Sequence, residues 1–133
     1  MNVPIQPRDL VKFLRLRQSI QGYQDGPKKE FHRLGHKLAV SLARGMGLKP
    51  DQYEIRHMEG GIAVTGEIVL HSDSIYIQLS DVEFGMLYRK VKNRKDYTGE
   101  RNCWMPWRQF ADLGSVIGHL RDFLNHVPAG TAV

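Results

Sequence analysis

The period of the apolar residues changes twice along this sequence, and these two changes constrain the fold more than any other feature. Up to Met46 the apolar residues recur every three or four positions, which is the spacing of one helix face. From Gln52 they alternate with polar residues, as in a half-buried strand, and after Trp107 the helical spacing returns. This order predicts an α+β fold in which helices cover one sheet.

Two helices are predicted before the strands. The first begins at Pro7 and Asp9, residue types that favour the first turn of a helix. Its apolar positions are Leu10, Phe13, Leu14 and Ile20. The glycines and proline of "QGYQDGPKK" then predict a loop. The second helix covers residues 28–46 and should end near Gly45 or Gly47. Its apolar stripe consists of Phe31, Leu34, Leu38, Leu42 and Met46.

Four or five strands are predicted in the middle of the chain. Alternation covers residues 52–58, 62–70 and 75–79, and "FGMLYRKV" supplies a further strand with Leu87 and Val91 as its apolar positions. The short turns "EGG" and "HSDS" favour an antiparallel meander. The predicted order is ααββββ(β)α with the helices packed on one face, which leaves polar residues on the other. Candidates for that second face are Thr65, Glu67, Tyr76, Gln78 and Tyr88.

The chain is predicted to close with one helix from Trp107 to Leu124, laid across the sheet. The tail at residues 127–133 should be frayed. With 133 residues and 41% hydrophobic content, we expect a single domain over residues 1–133.

The bulk composition narrows the class of protein. A net charge of +5 favours an acidic partner, either nucleic acid or an acidic protein surface. Cys103 is the only cysteine, and the first ten residues lack the pattern of a secretion signal, so we expect a cytoplasmic protein. No apolar stretch approaches the roughly 18 residues that a membrane span needs. The sequence leaves the oligomeric state open.

No motif in the sequence is characteristic of a catalytic site or of a cofactor-binding site. His32 and His36 have helical spacing, but Arg33, Leu34 and Gly35 stand between them without the glutamate of a zincin motif. The glycines form neither a dinucleotide fingerprint nor a phosphate-binding loop, and Cys103 has apolar neighbours. We therefore expect a protein that is not an enzyme and needs no metal or cofactor.

The stretch "RKVKNRKDYTGERNCWMPW", residues 89–107, is the strongest functional signal. It places cationic side chains beside Tyr97, Trp104 and Trp107, a combination that favours contacts to phosphates and stacking on unpaired bases. The alternative is a solvated hairpin, turned by "DYTG", whose tryptophans anchor it to the core. The candidate binding residues are Arg89, Lys90, Lys92, Arg94, Lys95, Tyr97, Arg101 and Arg108.

The segment "MLYRKVKNRKDYTGERNCWM" also resembles a basic "DYTG" segment of short uncharacterised phage and prophage proteins. The resemblance covers about twenty of the 133 residues, with Glu100 where a second glycine would be expected. It implies an accessory protein of a mobile element and transfers no active site.

Two functional hypotheses follow from these residues. The first is a small nucleic-acid-binding protein whose basic segment neutralises phosphates, with Tyr97 as its stacking group. The second is a protein-interaction module, such as a phage-borne inhibitor or adaptor, that docks on an acidic surface of a host protein.

Overall fold

A computed structural model describes residues 5–19, 25–59, 65–81 and 84–125. Within these residues the chain forms three α-helices and one five-stranded sheet, which confirms the predicted α+β order. The helices are α1 (Pro7–Ser19), α2 (Asp25–Gly45) and α3 (Leu113–Asn125), with short 3-10 helices at Pro50–Gln52 and Trp107–Ala111. The strands are β1 (Tyr53–Met58), β2 (Glu67–Ser72), β3 (Ile75–Leu79), β4 (Met86–Lys90) and β5 (Cys103–Met105). Among the described residues, no helix is both long and apolar enough to cross a membrane.

Some predictions fall outside the described residues. They concern Ile20 on the first helix, the two glycines of "EGG", residues 62–64 of the second strand and the tail at residues 127–133.

The apolar stripes of both N-terminal helices are buried as predicted. Leu10 and Phe13 of α1 and all five stripe residues of the second helix are at most 9% exposed. However, α2 begins at Asp25, so the prediction that the loop "QGYQDGPKK" runs through residue 29 is wrong. Pro27 lies in the first turn, where a helix needs no backbone N–H, and so it does not prevent helix formation.

The end of α2 is set by Gly47, as predicted. Gly47 has a φ of +83°, a left-handed conformation that glycine adopts without steric cost. The amide of Leu48 donates to the carbonyl of Ala43 at 2.9 Å, and the amide of Gly47 donates to the carbonyl of Arg44 at 3.0 Å. This bonding pattern is a Schellman cap, which satisfies carbonyls that the helix leaves without partners.

The sheet is an antiparallel meander in the order β1-β2-β3-β4-β5, with the helices on one face. The helix-covered face carries Ile68, Leu70, Ile75 and Ile77, all at most 1% exposed. The opposite face, called here the open face, is defined by the register of the strands. Its side chains are Glu54, Arg56, Met58, Glu67, Val69, His71, Tyr76, Gln78, Leu87, Arg89 and Trp104.

The predicted faces of β4 are wrong. Tyr88 pairs with Ile77 and packs in the main core, whereas Leu87 lies on the open face in a small cluster with Val69, Tyr76 and Val91. Met86, Leu87 and Tyr88 are all hydrophobic or amphipathic, so alternation within this strand cannot determine which face is buried. Thr65, a candidate for the partly exposed second face, is also buried.

The final helix is shorter than predicted. Residues Trp107–Ala111 form a 3-10 helix, and α3 starts only at Leu113. Between them Asp112 has extended backbone angles, and its carboxylate accepts a hydrogen bond from the amide of Ser115 at 3.2 Å. Aspartate competes with helical bonding in this way and favours the N-terminal cap of a helix, which explains the break.

Candidate nucleic-acid interface

Residues 91–102, called here the basic loop, connect β4 to β5 and are organised by one carboxylate. Asp96 accepts hydrogen bonds from the amides of Lys92, Thr98 and Gly99, at 2.9, 3.2 and 2.9 Å, and from the Thr98 hydroxyl at 3.1 Å. The amides of Lys92 and Gly99 hold the pKa of Asp96 well below its usual range. The "DYTG" segment therefore turns around the Asp96 side chain.

Two arginines of the predicted site anchor this loop to the sheet. Arg94 pairs with Asp73 of the β2–β3 turn at 3.2 Å and donates to the carbonyl of Asp51 at 2.8 Å. Arg89 donates to the carbonyl of Tyr97 and to Asn102, both at 3.1 Å, and its guanidinium lies 4.1 Å from the centre of the Tyr76 ring. Both guanidiniums thus hold the loop in place.

The eight predicted site residues divide into three groups. Lys92, Lys95 and Arg101 are exposed on the basic loop with Tyr97. Arg89 and Arg94 are engaged as anchors. Lys90 and Arg108 lie elsewhere, since Lys90 pairs with Ile75 on the helix-covered face and its ammonium lies 5.2 Å from the Phe123 ring. Arg108 lines a cavity with side chains of α1. Six of the eight residues therefore lie on the basic loop or are bonded to it, and two do not.

Tyr97 is folded back over the open face and still exposes 62% of its surface. Its ring meets the imidazole of His71 at 5.3 Å, nearly perpendicular, and the Arg56 guanidinium lies 5.5 Å from its centre. Arg56 also approaches His71 Nδ1 at 3.2 Å. Because a guanidinium can only donate, that nitrogen accepts and the His71 ring is neutral. Burial, followed by the charge of Arg56, lowers the pKa of His71.

A second exposed aromatic group lies on the same face. Trp104 of β5 is 42% exposed and meets Phe84, which is 78% exposed, with ring centres 5.9 Å apart. The register places Trp104 beside Leu87, in the same row across the sheet as Arg56. Trp107, by contrast, is only 8% exposed and packs on Phe110 in the core. Of the two tryptophans, only Trp104 is available on the surface.

Sequence reasoning missed Arg56, His71 and Phe84 as neighbours of this surface. A signal was present for two of them, because Glu54, Arg56 and His71 occupy positions that alternate with the apolar residues of β1 and β2. What alternation could not show is that the basic loop would fold back onto those positions.

Three histidines form a separate cluster on the helix-covered side. His57 of β1 lies between His32 and His36 of α2, with its Nδ1 3.0 Å from His32 Nδ1 and its Nε2 3.0 Å from His36 Nδ1. No group of three or more His, Cys, Asp or Glu side chains in the described part of the chain is arranged to hold a metal ion. His57 turns its two ring nitrogens toward different partners, which is the geometry of a hydrogen-bonded chain.

The carbonyl of Thr65 determines which ring nitrogens donate and which accept along this chain of hydrogen bonds. It only accepts, so His32 Nε2, at 2.9 Å, carries a proton and His32 Nδ1 of the neutral ring accepts from His57 Nδ1. His57 Nε2 then accepts from His36 Nδ1. Desolvation by burial lowers the pKa of His57, and the two imidazole neighbours lower it further because a positive charge on either ring repels a proton on His57.

In comparisons with known proteins, no family model, no curated protein sequence and no solved structure matches this chain.

Proposed function

We propose that this protein binds single-stranded nucleic acid on the open face of its sheet, at the end bordered by the basic loop. The observation that carries the proposal is the position of Tyr97, which is 62% exposed and is held over the sheet by His71 and Arg56. Proteins that bind single strands combine such aromatic rings, on which bases stack, with cations that follow the phosphates.

The cations required for phosphate contacts lie on the same loop as this ring. Residues 89–102 contain six Lys or Arg, of which Lys90 lies on the helix-covered face, and two acidic residues, Asp96 and Glu100. Asp96 is occupied by amides of the loop, Glu100 is exposed, and Asp73, just outside the loop, is paired with Arg94. Lys92, Lys95 and Arg101 remain exposed, so the charge that can meet a strand comes from these three side chains.

Trp104 provides a second stacking position, and its distance from Tyr97 sets the length of strand that can bind. The Tyr97 ring lies on β2 at His71, and Trp104 lies three strands away on β5. With about 4.8 Å between neighbouring strands, the separation is about 14 Å, which is room for roughly four stacked bases at about 3.4 Å each. A six-residue oligonucleotide should therefore bind more tightly than a dinucleotide.

Fluorescence anisotropy with labelled oligonucleotides tests the proposal. Single strands of DNA or RNA should bind with a micromolar or lower Kd at low salt, more tightly than the matching duplex, and affinity should fall as salt is raised. Failure to bind any single strand at low salt would contradict the proposal.

A protein-interaction module is the second candidate, and a specific observation favours it. Phe84 and Trp104 form an exposed aromatic pair on the sheet edge, and exposed apolar groups of this kind are common at protein interfaces. In this case the basic loop would meet an acidic surface of the partner. A single partner that survives nuclease treatment of a lysate and is lost with Phe84→Ser, but retained with Tyr97→Ala, would favour this function over the first.

Under either function, the resemblance of the basic segment to phage and prophage proteins would make this chain an accessory protein of a mobile element. That assignment remains a prediction from about twenty residues.

A further inference from the structure

A cavity of about 340 Å³ lies between α1 and the 3-10 helix that follows β5, away from the basic loop. Its apolar walls are Val11 and Leu14, and Trp107 forms part of its lining. The volume is at the lower end of the range for small-ligand sites, about 300–1,000 Å³. The cavity therefore suits a small organic molecule better than a segment of protein.

The polar lining of the cavity is cationic. Arg15, Arg17 and Arg108 all line it, together with Gln18, and the described lining contains no carboxylate. Arg17 is 7% exposed, and its guanidinium lies 4.6 Å from the centre of the Trp107 ring. Arg15 and Arg108 are exposed and make no hydrogen bond or ion pair with the described residues. Two guanidiniums at the rim are thus available to a ligand.

We propose that this cavity binds an organic phosphate monoester, with the phosphate at Arg15 and Arg108 and the organic group against Val11 and Leu14. Guanidinium groups match phosphate oxygens with paired hydrogen bonds. A monoester carries about −1.5 to −2 charges at pH 7. It therefore complements several guanidiniums better than a carboxylate or a phosphodiester, each of which carries a single charge.

The site is independent of the proposed function, because Arg15 and Arg108 lie outside the group of residues around Tyr97. Phosphate monoesters occur in free small molecules and at the 5′ end of a nucleic-acid strand, so the experiment must distinguish these two sources.

Nuclear magnetic resonance titration provides the test, with the Trp107 indole signal as the readout and Trp104→Phe used only to assign it. Phenyl phosphate should shift this signal saturably with a Kd of roughly 1 mM or lower. Inorganic phosphate lacks the apolar group and phenol lacks the charge, so both should bind more weakly. No saturable shift with phenyl phosphate, or equal shifts with phenol, would overturn the proposal.

Matched variants locate the binding. Arg15→Gln and Arg108→Gln should each weaken phenyl phosphate binding by about threefold or more, which is the effect of losing one charged contact at an exposed site. Arg121→Gln, an exposed arginine of α3 outside the cavity, should not change it. Unchanged binding in the Arg15→Gln, Arg108→Gln double variant would overturn the proposal.

Oligonucleotides of six residues show whether the phosphate monoester belongs to a strand end or to a free small molecule. A Trp107 shift with a 5′-phosphorylated strand, but not with the 5′-hydroxyl strand, would support recognition of a strand end. A shift with adenosine 5′-monophosphate, but with neither strand, would support a free small molecule. An equal shift with both strands would show that phosphodiesters suffice and would overturn the monoester assignment. Loss of oligonucleotide affinity in Tyr97→Ala with the phenyl phosphate response intact would separate this site from the sheet surface.

Discussion

The phenol ring of Tyr97 meets the imidazole of His71 edge to face, with ring centres 5.3 Å apart and planes at 80°. This contact joins the basic loop to β2, and the Arg94–Asp73 ion pair makes a second connection to the turn that follows β2. The basic segment is therefore a part of the sheet surface, held by its own aromatic and charged side chains. The proposed function of this surface depends on the contacts that keep Tyr97 in this position.

Asp96 is the first residue that we expect to matter for that position. Asp96→Asn replaces a carboxylate that accepts bonds from three amides and one hydroxyl, and an uncharged amide group is a weaker acceptor. We expect faster hydrogen exchange of the Lys92 and Gly99 amides and weaker oligonucleotide binding. Asp81→Asn, an exposed aspartate with no such bonds in the described part of the chain, is the control. Equal exchange rates in the two variants would contradict this account of the loop.

The salt dependence of oligonucleotide binding should report the exposed cations. For single strands, each phosphate neutralised contributes about 0.7 to the slope of log affinity against log salt. Lys92→Gln and Lys95→Gln should therefore each reduce that slope by about this amount. Lys29→Gln, an exposed lysine of α2 on the opposite side of the sheet, should leave the slope unchanged. A slope that responds equally to all three substitutions would mean that binding is not located at the loop.

Stability should fall when the pH drops below the ordinary histidine range. His57 and His71 have pKa values lowered by the fold, so below pH 6.5 the unfolded chain binds more protons than the folded one. The stabilisation is fully present above pH 6.5 and is lost as the pH falls through the lowered folded-state values. Denaturant unfolding at pH 7.5 and 5.5 measures it. His57→Gln, which cannot titrate, should reduce the difference, and an unchanged difference would show that His57 is not a contributor.

The histidine chain also predicts which ring nitrogen carries each proton. At pH 8, nitrogen chemical shifts should show the proton on Nε2 of His32 and on Nδ1 of both His57 and His36, since Thr65 fixes the first of these. The opposite tautomer at His57 would mean that the bonds to its two neighbours do not form as described.

Two glycines in helices should respond oppositely to alanine. A methyl group at Gly35 would lie 2.5 Å from Ile68 Cδ1 and 3.1 Å from the Phe13 ring, and both side chains are fully buried. Gly35→Ala should therefore destabilise the protein by about 1–3 kcal/mol through overpacking. At Gly118 no atom of the described residues beyond its own surroundings in the helix lies within 4 Å of such a group, so Gly118→Ala should stabilise the protein by about 0.5–1 kcal/mol. Thermal or denaturant unfolding measures the direction of both stability changes. Stabilisation by Gly35→Ala would contradict the close packing of α2 on β2.

Elements that depend on local spacing and backbone preference could be predicted from the sequence. Features that depend on contacts between residues distant in the sequence could not. The stripe from Phe31 to Met46 and the cap at Gly47 depend on spacing and backbone preference, and both are present in the structure. The faces of β4 depend on its pairing with β3, and the position of Tyr97 depends on contacts with His71 and Arg56. His57 joins two histidines that lie 25 and 21 residues away, which no local pattern contains.

The most direct measurement is the affinity of the Tyr97 variants for a labelled six-residue single strand at low salt. Stacking of one base contributes about 1–3 kcal/mol, so Tyr97→Ala should weaken binding by roughly 5- to 150-fold. Tyr97→Phe keeps the ring and should remain within about twofold of the unmodified protein. If Tyr97→Ala binds the strand as tightly as the unmodified protein, Tyr97 is not a stacking group and the proposed interface is contradicted.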